Sequence, residues 1–148
     1  MEPFWRYTAG RLVPWLGPAT LFVLARPRRQ RFSFAGTSFD AVIAHGGGAP
    51  ILTRRVFEGR DASRCRFVDL TVVPRGADIG VHTHETDNHE LYVVIEGRGR
   101  MHLDGEEFEV GPGDVIMNRP GGTHGLRNLG EGELKLVVVE VTAKAEPR

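Results

Sequence analysis

GADIGVHTHETDNHELYVVIEG, residues 76–97, is the stretch whose reading decides the fold. His82 and His84 stand two apart, so on an extended chain both imidazoles leave the same face. Two imidazoles on one face of a strand are half of a metal site. Thr86-Asp87-Asn88 is a turn signal, and Leu91-Tyr92-Val93-Val94-Ile95 behind it reads as a strand. Glu90 opens that run and can return a carboxylate toward the histidines. A second stretch, GDVIMNRPGGTHGLRN at 113–128, supplies a further imidazole, His124.

The two stretches together resemble the two motifs of the cupin superfamily, small β-barrels built around a three-histidine, one-glutamate metal site. Gly76, His82, His84, Glu90 and Gly97 match the first motif. Gly113, Asp114, Gly121, His124 and Asn128 match the second. The pairing is specific, whereas a lone His-x-His is weak evidence. Two departures stand out. Five residues separate His84 from Glu90, one more than the family pattern allows, and Arg119 stands where the second motif has proline, with Pro120 one place along.

The resemblance implies an all-β fold, a cupin-type double-stranded β-helix (jelly-roll barrel) over residues 36–148. It implies one divalent transition metal (iron, manganese, nickel, cobalt or zinc) on His82, His84, Glu90 and His124. The longer spacing makes His89 an alternative ligand. Adjacent strand residues point to opposite faces, so His89 and Glu90 cannot both aim inward without a bulge. The Glu90-to-Gly97 spacing fits the family and favours Glu90.

The bulk numbers narrow the classes. A chain of 148 residues can enclose one core. Nineteen basic against 19 acidic residues argue against a nucleic-acid or anionic-membrane binder. Arg26, Arg28, Arg29 and Arg31 are the one basic cluster, read as a solvated arm or a face paired with acids. The single cysteine, Cys65, excludes an internal disulfide and fits a reducing compartment; it reads as a small buried hydrophobe and not a nucleophile. Pro14, Gly17 and Pro18 interrupt the apolar stretch 12–25, so neither a signal peptide nor a membrane helix is expected. The expected setting is the cytoplasm.

Residues 1–35 have no clear period but hold Phe4, Trp5, Tyr7 and Trp15. They are expected to form an extended arm on the barrel or on a partner subunit, in a homodimer of the kind the resemblance implies. From Phe32 onward short apolar runs alternate with turns. FDAVIA and ILTRRVF flank HGGGAP, read as a flexible turn with His45 at its head and only a minor claim as a ligand. RFVDLTVVP, RMHL, EEFEV, VIM and LKLVVVEV follow as strands, and Asp104-Gly105 is a two-residue hairpin signal. Short strands with Gly/Pro turns and no convincing helix mean a sandwich or barrel.

Around the expected metal, Tyr92 lies two places from Glu90 and shares its face on a regular strand. His102, Met117, Arg119 and Arg127 are further candidates for contacting substrate or the ligands, each with an ordinary core or surface role as the alternative. Three imidazoles and one carboxylate leave coordination positions open, which suits catalysis on a small organic molecule. Cupins with such sites include dioxygenases, decarboxylases, isomerases and cyclases, and the motif does not choose among them. A non-catalytic module that binds or senses a small ligand is the alternative. A metal-free sugar epimerase is disfavoured by the complete ligand set.

Overall fold

The computed structural model describes residues 31–59, 65–84 and 87–142. The expected arm, 1–35, lies outside these residues except for its last five. A single 3₁₀ turn, Phe34–Gly36, precedes ten strands. They are β1 Asp40–Val42, β2 Ile51–Glu58, β3 Cys65–Val73, β4 Asp78–Thr83 and β5 Asn88–Glu96. Then come β6 Gly99–Leu103, β7 Glu106–Val110, β8 Val115–Asn118, β9 Thr123–Asn128 and β10 Leu134–Thr142. The expected strands all form, and no α-helix occurs among the described residues.

The strands divide into a six-stranded sheet, β1-β2-β3-β10-β5-β8, and a four-stranded sheet, β4-β9-β6-β7. Every strand pairing is antiparallel. Chain neighbours β3 and β4 fall in different sheets, as do β5 and β6, so the chain repeatedly crosses from one layer to the other. This is the two-layer jelly roll that the resemblance implies.

Alternation decides what each strand buries. On β5, Asn88, Glu90, Tyr92 and Val94 are buried, and the residues between them are not. Met101 of β6 and Leu126 of β9 meet Val73, Val94, Leu134 and Leu136 of the other sheet in one core. Each such side chain contributes roughly 1.5–3 kcal/mol by leaving water. The β6–β7 hairpin turns on Asp104 and Gly105, at φ 49° and 90°. Two successive positive φ values are what a right-twisted two-residue hairpin needs, and Gly meets them without steric cost.

Asn128, the last residue of the second motif, has a structural task. It is buried, and its Nδ2 donates to the Val73 and Gly132 carbonyls at 2.8 Å each. Its Oδ1 accepts from Gly130 N at 2.8 Å, so both ends of the amide are satisfied.

Candidate metal centre

Two strands of the small sheet carry the histidines. His82 on β4 and His124 on β9 are direct cross-strand partners, and a register shift between Ile79 and His82 bends the strand just before them. His84 lies one residue past β4, held by its N–H on the Gly122 carbonyl at 3.0 Å. Glu90 enters from β5, in the opposite layer. The ligand atoms of His82, His84, Glu90 and His124 all lie within 4.8 Å of one another.

The three Nε2 atoms form a near-equilateral triangle. His82–His84 is 3.1 Å, His82–His124 is 3.2 Å and His84–His124 is 3.1 Å. The Glu90 Oε2 sits 3.1 Å from His124 Nε2 and 3.4 Å from His84 Nε2. That oxygen is buried and makes no hydrogen bond among the described residues. His82 Nδ1 lies 2.9 Å from the Gly80 carbonyl. It can only donate there, which leaves the Nε2 lone pair facing the cluster. A cation about 2.1 Å from three nitrogens at right angles would set them about 3.0 Å apart. The residues fit a metal.

Electrostatics agree. Burial pushes His82 and His124 down to about 4, so both imidazoles are neutral, the form that coordinates. Burial raises the Glu90 carboxyl, with His84 opposing that shift. The Tyr92 hydroxyl donates to the Glu90 carboxylate, and its ring lies 4.9 Å from that of His124. Burial, with the Glu90 charge adding to it, raises the tyrosine well above its usual range, so it stays a donor.

The remaining sequence candidates scatter. His89 sits on the face of β5 opposite Glu90 and takes no part in the cluster. His102 alternates with the fully buried Met101 and therefore faces outward. It lines a shallow groove on the outside of the small sheet with Arg100, Glu107 and Arg127. Arg127 shares that outer groove, opposite to the buried Leu126. Met117 is 48% exposed on the outer face of β8, where the inward neighbour is Ile116. Arg119 is exposed in the β8–β9 loop. Of the five residues expected to contact substrate or ligands, only Tyr92 reaches the cluster.

Two features escaped the sequence reading. His45 stacks flat on His82, with ring centroids 3.4 Å apart and planes 3° from parallel. Arg55 makes a two-pronged pair with Asp69, at 3.0 and 3.1 Å, and its guanidinium lies 4.0 Å over the Phe67 ring. Asp69 stands opposite the core residue Val138, so this pair belongs to the inner face of the large sheet. The sequence reading weighed His45 only as a minor ligand candidate, and nothing local points to either contact.

Comparison with known proteins agrees with the geometry. Residues 69–140 match the cupin domain of the cupin 2 family. An uncharacterised protein of Methanocaldococcus jannaschii is 42% identical over 66 residues, covering 45% of this chain and 52% of that protein. An oxalate-binding protein of Thermotoga maritima is 31% identical over 77 residues, covering 52% of this chain and 63% of its own length. The matches thus span between half and two thirds of these relatives. The crystal structure of a predicted oxalate decarboxylase from Thermotoga maritima superposes with a TM-score of 0.70 at 22% identity, over 73% of this chain and 95% of that one. Residues 69–140 thus carry a cupin domain, and both histidine motifs lie inside that matched stretch.

Proposed function

We propose that the chain is a metal-dependent enzyme acting on a small organic molecule, with His82, His84, Glu90 and His124 as the ligands. The observation that carries this reading is the triangle of Nε2 atoms at 3.1–3.2 Å, closed by a buried carboxylate oxygen that has no hydrogen bond among the described residues. A bound divalent cation supplies Lewis acidity at the positions these four side chains leave open. The chain does the rest. Three neutral imidazoles and one carboxylate fix the open side, and the Tyr92 hydroxyl holds the carboxylate in place. Any of iron, manganese, nickel, cobalt or zinc suits the donor set.

Two matches from Thermotoga maritima, one a sequence and one a crystal structure, carry oxalate in their names, so short dicarboxylates are the substrate class to test first. One of those names describes binding only, which favours a second reading, a non-catalytic barrel that captures such an acid. Metal-loaded protein incubated with oxalate separates the two. Loss of oxalate with release of carbon dioxide, absent in His82→Ala, supports the enzyme. Saturable binding in calorimetry without turnover of oxalate or other small acids supports the capture module instead.

The reading places the chain in the cytoplasm, on the strength of its one free cysteine. No helix among the described residues is long and apolar enough to cross a membrane. It also pairs the chain as a homodimer through the outer face of the large sheet. Val115 and Met117 are 61% and 48% exposed there, opposite Val93 and Leu91 of β5.

A further inference from the structure

We infer that the β1–β2 turn, Ala44–Gly48, belongs to the metal centre, with His45 as the positioning residue that holds the ring plane of His82. This rests on the metal reading of the four-residue cluster and adds a fourth imidazole to its three. The ring of His45 lies parallel to that of His82 at van der Waals distance, 3.4 Å between centroids. No other ring pair in the cluster is parallel; the remaining tilts run from 38° to 73°.

The stack is not a chance of a loose loop, because the turn is clamped to β4. Gly80 N–H donates to the Ala44 carbonyl at 3.1 Å, and Gly47 N–H to the same oxygen at 2.9 Å. Gly48 N–H donates to Asp78 Oδ1 at 2.8 Å. The approach is so close that a Cβ on Gly80 would overlap the His45 carbonyl oxygen, and one on Gly47 would overlap the Asp78 carbonyl oxygen. Both positions must be glycine for the turn to seat. His45 itself adopts φ 49°, a left-handed conformation that a side-chain-bearing residue holds only where its surroundings impose it.

Gly80 joins the two halves. Its N–H secures the turn, and its carbonyl accepts from His82 Nδ1 at 2.9 Å. The hydrogen bond fixes which nitrogen of His82 faces the cluster, and the stacked ring fixes the rotation of the imidazole about Cβ–Cγ. Removing a partner that orients a ligand from outside the coordination sphere typically costs about 10–100-fold in metal affinity. The stacking needs a flat ring at position 45 and does not need its nitrogens.

Cobalt(II) titration followed by its visible bands tests this on wild type, His45→Ala and His45→Phe. Far-UV circular dichroism and the unfolding midpoint of each metal-free protein establish that all three fold. The expected result is a cobalt Kd about tenfold weaker in His45→Ala with shifted bands, and recovery of most of the affinity and the wild-type bands in His45→Phe. Wild-type affinity and spectrum in His45→Ala would overturn the inference alone, as would a His45→Phe as weak as His45→Ala. A wild type that takes up no cobalt would remove the metal reading itself, and the inference with it.

Discussion

His124 is 1% exposed, and an imidazole so enclosed gives up its charge. Burial holds it and His82 at about 4, against an ordinary value near 6.5. The unfolded chain therefore binds more protons than the folded one between these values, and stability falls as pH drops through that window. Glu90 works the other way: its raised carboxyl contributes stability at low pH, lost as pH rises through its folded value. His45 is lowered by burial as well and Glu140 raised, so three imidazoles against two carboxyls set the expected direction. Metal-free protein is expected to unfold at lower urea at pH 5 than at pH 7, and His124→Gln is expected to flatten that difference. Equal midpoints at both pH values in wild type would contradict the buried neutral imidazoles.

The four cluster residues were legible because their spacing is a property of the chain. Period-two alternation puts Glu90 on one face and His89 on the other once a strand is granted. His102, Arg127 and Met117 were not legible for the same reason turned round. Alternation says that two residues share a face but not which face is inside, and all three proved to be outside. His45 was hidden because its role depends on contact between a turn and β4, which no local pattern encodes.

At the scale of elements, β10 carries the large sheet, pairing with β3 on one side and β5 on the other. Its buried positions, Leu134, Leu136 and Val138, form the seam between layers. Leu136→Ala removes a fully buried side chain and is expected to cost about 2–5 kcal/mol in chemical denaturation. A loss below about 1 kcal/mol would mean that the seam repacks or that β10 is not central. Strand positions could be read from turn signals such as Asp104-Gly105. The register shifts could not, because a bulge between Ile79 and His82 leaves no compositional mark.

For the whole molecule, the assignment of strands to layers came from motif resemblance, since antiparallel alternation alone fits several sandwiches. The outer face of the large sheet makes one further prediction. The edge strand β8 presents Val115 and Met117 to water, and the proposed pairing uses that face. Sedimentation equilibrium is expected to show a dimer for wild type and a larger monomer fraction for Val115→Lys/Met117→Lys. A wild-type monomer at high concentration would end the pairing proposal without touching the site. The site stands or falls on its metal. Elemental analysis of protein purified without added metal, then incubated with each divalent ion, is expected to give one equivalent of iron, manganese, nickel, cobalt or zinc. The His82→Ala/His124→Ala protein is expected to give none. Metal-free wild type after every incubation, or equal uptake by the double variant, would contradict the account.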